Sequence, residues 1–342
     1  MQEPVVTLVV VPRERFSCAR ESLESIYEHT DLPFNLVYVD GKSPEEVRLF
    51  LENQAKEKGF QLIRTEYYLS PNHARNIGLQ YVNTKYLVFV DNDVVVTPGW
   101  LSALVNCAEE TGATVVGPLT CEGTPIHQKV HFAGGESHIV TDVKGRRLLR
   151  EKMYKQGQQV MEVKPKLKRV KTELAEFHCV LVRTAIFEQI GLLDEKMLNT
   201  KEHLDFCMTV AQAGGEVYFE PDCLVTYVPG PPLETTDVYF YMLRWSDDWT
   251  LKSLHHLRDK WNLSENEYFF SKYRKLGWRR RQTIINPLIT SFNSKLGYRV
   301  VRKILTVADK VFNGYITGIY FARSRRLRGS ASLPKNIKPL EN

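Results

Sequence analysis

Four short apolar runs, spaced by helical segments, constrain the fold of this 342-residue chain more than any other feature. The runs are Pro4–Val11, Phe34–Val39, Tyr86–Val90 and Ala113–Pro118. They are rich in β-branched and aromatic residues and short enough to read as strands. Phe60–Arg64 reads as a further short strand. Between them, Ala19–His29 carries Leu23, Ile26 and Tyr27 at helical spacing, and Glu45–Lys58 is a charged helix closed by Gly59. Asn72–Val82 is a third helix, and Pro98–Thr111 a fourth, opened by Pro98 and closed by Gly112. Such alternation predicts an α/β chain with a mostly parallel, doubly wound sheet.

The texture changes after about Gly117. Residues 131–172 are rich in Gly and Lys, with a basic cluster from Lys164 to Lys171, and read as hairpins and a mobile loop. Phe177–Arg183 is again a strand, Thr184–Ile190 a short helix, and Glu202–Ala213 a helix closed by Gly214-Gly215. Val217–Phe219 and Leu224–Val228 read as two strands. The proline cluster 229–232 predicts a boundary. It separates a domain of residues 1–230, with halves 1–118 and 119–230, from a helical extension of residues 231–342.

No apolar run approaches the roughly 18 residues of a spanning helix. The N-terminus lacks a basic segment and a small-residue cleavage site, so it is expected to be the first strand and not a signal peptide. Six scattered cysteines without a Cys-x-x-Cys pair predict reduced thiols and no zinc site. The net charge of +6 is unevenly spread: residues 271–342 carry 17 basic and 2 acidic residues, the rest 29 and 38. An acidic body with a basic tail calls for an anionic partner, either a surface or the body itself.

The stretch Tyr86-Leu-Val-Phe-Val-Asp91-Asn-Asp93 places two carboxylates where a strand ends. Burying a bare carboxylate costs several kcal/mol, so Asp91 and Asp93 are expected where the strand emerges. Parallel α/β sheets bind ligands at the carboxyl ends of their strands. Two carboxylates there suggest a hard divalent ion, and with it a phosphate; a solvated Asp-rich turn is the alternative. Neither Gly-x-Gly-x-x-Gly nor a Walker loop is present, which disfavours dinucleotide binding and P-loop chemistry. A diphosphate would then be neutralised by the ion and by basic side chains. Pro12-Arg13-Glu14-Arg15, Asp40, and Arg75-Asn76 fall at the same sheet edge. A second constellation, Glu202-His203-Leu-Asp205, puts two carboxylates on one helix face. It reads either as acid–base machinery or as a helix start capped by Asn199 or Thr200.

The order of these features resembles the family 2 glycosyltransferases of the GT-A fold. The likeness spans roughly residues 4–230: a strand ending at Val11-Pro12, Tyr38-Val-Asp40-Gly, Ala74-Arg75-Asn76-Ile77-Gly78, Asp91-Asn92-Asp93, and Glu202-His203-Leu204-Asp205-Phe206. The resemblance implies a GT-A-type mixed sheet flanked by helices, and an inverting single displacement from a nucleotide-sugar donor, a UDP-sugar first. It implies that Pro12, Arg13, Glu14 and Asp40 surround the nucleoside, with Asp40 on the base, and that Arg75, Asn76 and Asn92 shape the nucleotide pocket. Asp93 would ligate Mg2+ or Mn2+ bridging the diphosphate, with Asp91 near the ribose and the metal. A carboxylate of Glu202 or Asp205 would deprotonate the acceptor, with His203 ranked behind them. Two departures stand out. His203 occupies the position where members commonly carry the catalytic Asp, and Tyr227 the region where many carry a metal-binding His. They motivate an alternative, a catalytically weak nucleotide-sugar-binding or assembly scaffold.

From Leu296 to Tyr320 apolar residues recur at helical spacing, flanked by the clusters Arg279–Arg281 and Arg323–Arg328. A basic amphipathic helix of this length suits either an anionic membrane interface or packing on the acidic body. The expected acceptor is a lipid-linked or other cell-surface glycan precursor. The expected location is the cytoplasm, peripheral on the inner face of the membrane. Nucleic acid is not expected as a partner, because no recognition motif accompanies the charge.

Overall fold

Strand β1 (Val6–Val11) pairs in parallel with β2 (Phe34–Gly41) on one side and β4 (Tyr86–Asp91) on the other. Strand β3 (Gln61–Thr65) extends the parallel set beyond β2. The computed structural model describes residues 3–228, 233–289 and 295–330, with side chains in the last segment over 299–323. Every residue of β1 and β4 is buried, as central strands covered on both faces require. Val9 and Phe89 face one apolar layer, Leu8 and Val88 the other. Helix α1 (Ala19–His29) covers the second layer with Leu23 and Ile26. Helix α2 (Glu45–Lys58) ends at Gly59, whose φ of 76° makes a left-handed cap. Helix α3 (Pro71–Leu79) crosses β1 so closely that a Cβ on Gly78 would meet Val9 Cγ1 at 2.3 Å.

Beyond β4 the sheet becomes mixed. Strand β5 (Val94–Val96), helix α4 (Trp100–Thr111), β6 (Val115–Glu122) and β7 (Val130–Phe132) follow. Strands β8 (Gly135–Thr141) and β9 (Arg147–Met153) form a separate hairpin. Strand β10 (Val170–Thr172) lies at the sheet edge, and β11 (Cys179–Arg183) inserts antiparallel between β4 and β6. Strand β12 (Val217–Tyr227) runs parallel to β6 and antiparallel to β5 and β10. The order is β10-β12-β6-β11-β4-β1-β2-β3. The chain winds from β1 outward to β3 and returns to β4 on the other side of β1. A crevice therefore opens between the carboxyl ends of β1 and β4.

Some local expectations shift. Helix α4 starts at Trp100 behind a left-handed Gly99, not at Pro98. The two predicted strands around residue 220 are one strand, β12, with a register break between Glu220 and Leu224. Residues 131–172, expected to include a mobile loop, hold β7 to β10. The proline cluster 229–232, on which the boundary rests, lies outside the described residues.

The helices Val238–Arg244 and Asp247–Lys260 pack back against the sheet domain, and the long helix Lys295–Ser330 lies across them. Ile316 and Tyr320 join Leu243 and Trp249 in one apolar cluster. The rest of that helix's buried face is polar. Asp309 holds the buried Arg280 through two bonds of 2.9 Å, and Asn313 accepts from the Asp247 amide and donates to the Met242 carbonyl. The opposite face leaves Val300, Ile304, Val307, Val311 and Tyr315 exposed. The predicted apolar stripe is therefore divided, and most of it points away from the body. Arg325, Arg326 and Arg328 of the flanking cluster have side chains outside the described residues.

Candidate active site

Backbone topology brings the loop after β1, the end of β4 and the start of β11 together. Asp91 ends β4, and its amide donates to the His178 carbonyl at 2.9 Å. Asn92 turns the chain toward β5. Its side-chain oxygen accepts from the Arg13 amide at 3.0 Å, and its nitrogen donates to the Arg15 carbonyl at 2.9 Å. Asn92, expected in the nucleotide pocket, thus ties the Asp91–Asp93 turn to the loop after β1.

Neither acid is solvated; both are 1% exposed. Asp91 is clamped by two guanidinium groups, accepting from Arg75 Nη2 at 3.0 Å and Arg13 Nη1 at 3.1 Å. Burial alone would raise its pKa, but Arg75, His178 and Arg13 together bring it down to about 2. Asp93 has no hydrogen-bond partner on either oxygen among the described residues. Burial, set against a weaker pull from Arg13, pushes it well above the usual carboxylate range. Two orphaned buried oxygens are costly. Their setting beside a second carboxylate fits a hard divalent cation.

His178, 2% exposed, faces this pair. One ligand atom each from Asp91, Asp93 and His178 lie within 4.8 Å of one another. Burial, then Arg13, lowers His178 to about 4, so its ring is neutral near pH 7. The Tyr227 ring stacks on it with centroids 4.4 Å apart. Tyr227 Oη donates to Glu14 Oε1 at 2.6 Å, and Glu14 Oε2 accepts from Trp245 Nε1 at 2.9 Å.

The other predicted residues take distinct places. Pro12 packs near Gly41 at the end of β2. Asp40 accepts from the Ser43 amide and hydroxyl, both at 2.8 Å, and from Arg64. Asn76 spends its side chain on Leu193 and Glu195, pinning α3 to that segment. Asp205 accepts from Trp261 Nε1 and Lys260 Nζ, both at 2.8 Å. Glu202 faces Arg244 Nη2 at 3.4 Å; burial opposes its ionisation, but Arg244 and Arg75 prevail and lower its pKa. His203 Nε2 is buried without a hydrogen-bond partner, 3.9 Å from Glu176 Oε1. Lys201, not Asn199 or Thr200, stands at the N-terminus of this helix, with φ 68°. Asn199 instead donates to the Arg244 carbonyl and Thr250.

Glu202 and His203 share a cavity of about 260 Å3 with Arg13, Arg75, His131, Glu176 and His178; Asp205 does not line it. Glu176 collects histidines: His131 Nε2 lies 2.9 Å from it and His178 Nε2 3.5 Å. Sequence reasoning missed His131, Glu176, His178 and Arg244. The available signal was a pair of polar residues just before β11, which matters only if that strand runs antiparallel to β4.

Residues 7–156 match the family described as glycosyl transferase family 2. Over that stretch the chain is similar to family 2. Among curated proteins, the chain is 24% identical over 157 residues to the pre-mycofactocin glycosyltransferase of Mycobacterium tuberculosis, covering 46% of this chain and 30% of that protein. It is 23% identical over 219 residues to the uncharacterized protein y4gI of Sinorhizobium fredii, covering 62% and 23%. The chain thus spans less than a third of the length of these relatives. Among solved structures, GalNAc-T7 with UDP, GalNAc and Mn2+ superposes with a TM-score of 0.51 at 16% identity, over 85% of this chain and 58% of that one. The mannosyltransferase PcManGT from Pyrobaculum calidifontis, in complex with GDP-Man and Mn2+, superposes at 0.50 and 14% identity, over 98% and 78%. The shared architecture is the GT-A-type mixed sheet flanked by helices.

Proposed function

We propose that this chain is a glycosyltransferase that moves a sugar from a nucleotide-diphosphate donor to a hydroxyl of a glycan or lipid-linked acceptor, by a metal-assisted, inverting single displacement. The observation that carries this reading is Asp93. A carboxylate buried without a partner, beside an arginine-clamped Asp91 at the sheet's crevice, fits a seat for Mg2+ or Mn2+. Bound there, such an ion would offset the charge that develops on the leaving nucleoside diphosphate. Arg13 and Arg75 lie beside the same seat and supply further positive charge. On this reading Asp40, Pro12 and Glu14 would surround the nucleoside, and a UDP-sugar is the first donor to test.

We assign the acceptor's proton to His203. His203 lines the cavity and its buried Nε2 has no hydrogen-bond partner among the described residues, whereas Asp205 is held by Trp261 and Lys260, and Glu202 by Arg244. His203 Nε2 would accept the hydroxyl proton as the oxygen attacks the anomeric carbon, with Glu176 stabilising the imidazolium that results.

The exposed apolar face of helix Lys295–Ser330 supports the anionic-membrane reading. No described helix is long and apolar enough to cross a membrane. Val300, Ile304, Val307, Val311 and Tyr315 form one side, bordered by the exposed Lys303 and Lys310. Such a face suits a helix lying in an interface. Flotation with anionic liposomes should fail for the Ile304→Glu, Val311→Glu double variant; equal flotation of both proteins rejects membrane docking.

The test of activity is a panel of nucleotide sugars with Mn2+ and purified full-length protein. Turnover that survives intact in Asp93→Ala refutes the site. Nucleotide binding without turnover for any donor favours the scaffold alternative.

A further inference from the structure

We infer that His178 is the third protein ligand of the divalent-cation seat formed with Asp91 and Asp93, and that Arg13 holds that seat as a competing cation until the ion arrives. The inference rests on the donor-and-metal reading above.

Three observations carry it. First, the geometry fits. The ligand atoms of Asp91, Asp93 and His178 fall within 4.8 Å of one another. Bonds of about 2.0–2.2 Å to one ion place its ligand atoms up to about 4.4 Å apart. Small rotations of these side chains close the difference. Asp93 brings two oxygens that no other described residue satisfies.

Second, a carboxylate stands close to each ring nitrogen. His178 Nδ1 lies 3.4 Å from Asp91 Oδ2, while Nε2 lies 3.5 Å from Glu176 Oε2. A carboxylate behind a ligating imidazole fixes ring orientation and raises its basicity. The neighbouring His131 cannot take the role, because its two ring nitrogens already face Glu122 and Glu176 at 3.0 and 2.9 Å. Tyr227 cannot take it either while its hydroxyl is given to Glu14. Its ring instead packs flat against His178 and holds it in place.

Third, a cation already stands there. Arg13 Nη1 lies 3.1 Å from Asp91 Oδ2 and 2.9 and 3.0 Å from His178 Nδ1 and Nε2, while Arg13 Nε is buried without a partner among the described residues. A metal ion entering between Asp91 and His178 must displace this group. Turned outward, the same guanidinium would reach phosphate oxygens of the donor, to which its forked donors are suited.

The test is Mn2+ binding to the full chain in the presence of UDP, followed by electron paramagnetic resonance, with nitrogen coupling read by pulsed methods. Wild type should show nitrogen coupled to bound Mn2+. His178→Ala should lose that coupling and bind at least about tenfold more weakly, in line with the cost of damaging a metal site. His178→Gln, which keeps a polar side chain there, guards against a folding artefact and should lose the coupling too. Adding Tyr227→His to His178→Ala should restore some affinity, and Arg13→Gln should tighten Mn2+ binding measured without UDP. If Asp93→Ala abolishes binding while His178→Ala and His178→Gln keep wild-type affinity and coupling, the His178 assignment is overturned and the metal reading stands. If wild type binds no Mn2+, both fall.

Discussion

Lys201 Nζ lies 2.7 Å from both carboxylate oxygens of Glu151, joining hairpin β8–β9 to the helix that carries Glu202 and His203. Tyr268 Oη adds a third bond to Glu151 at 2.7 Å. Burial opposes ionisation of Glu151, but Lys201 and then His203 outweigh it and lower it to about 2. A depressed carboxyl contributes stability above its unfolded pKa of about 4.3 and loses it as pH falls through the folded value. Thermal melts between pH 5 and pH 2 should therefore show a steeper loss for wild type than for Glu151→Gln. Parallel slopes would mean that the pair carries no linkage.

Asp93→Asn removes a buried carboxyl group that has no hydrogen-bond partner among the described residues. The variant should melt at or above the wild-type temperature without metal, yet gain nothing from Mn2+. Wild type should gain about 2.7 kcal/mol at a ligand concentration of 100 Kd. Calorimetric scans with and without Mn2+ and UDP read both effects at once.

Replacing His203 by Ala should lower kcat by roughly 100- to 10,000-fold, the usual span for loss of a general base. Donor affinity should stay close to wild type, because the role proposed for the residue is to take the acceptor's proton and not to hold the donor. A fall in donor affinity with unchanged kcat would move the proton acceptor elsewhere, Glu202 being next in line.

Asp309→Ala strands Arg280, a fully buried guanidinium, beside Asp247 and the Trp245 carbonyl. Breaking one partner of a buried ion pair typically costs about 3–5 kcal/mol. Urea denaturation should show that loss, and the paired change Arg280→Met, Asp309→Leu should recover much of it.

Gly78→Ala puts a methyl group 2.3 Å from Val9 Cγ1 in the middle of the central strand. Overpacking of this kind costs about 1–3 kcal/mol. The same change at Gly314, inside the helix Lys295–Ser330 where an added Cβ meets nothing within 4 Å, should instead raise the urea midpoint, Ala being about 1 kcal/mol better than Gly in a helix.

Much of the first half of the fold is legible in sequence. Runs such as Val6–Val11 and Tyr86–Asp91 are β-branched, short and bounded by polar loops, so their type and edge follow from pattern alone. The spacing of Asp91 and Asp93 announces a site for the same reason. Long-range partners are different. Asn76 and Asn92 look like pocket residues until the bonds to Leu193 and Arg15 reveal them as ties. Strand β12 reads as two strands because Pro221-Asp222 interrupts its apolar pattern. The direction of β11 leaves no periodic trace, and with it the placement of His178 beside Asp91 is hidden. The His131–Glu176–His178 group draws on three separate segments, which no local window can join.

The site also draws on residues far beyond the predicted boundary at 230. Asp237 accepts from the Phe16 amide at 2.8 Å, Arg244 Nε donates to the Arg13 carbonyl at 2.9 Å, and Trp245 bonds Glu14. The helix Lys295–Ser330 in turn holds the segment bearing Arg244 through Asn313 and Met242. A fragment ending near residue 230 would keep every motif that suggested a transferase, yet lose the wall that fixes the loop bearing Arg13. Anything that pulls on the exposed face of that last helix would therefore act, through one run of bonds, on the loop that is proposed to meet the donor.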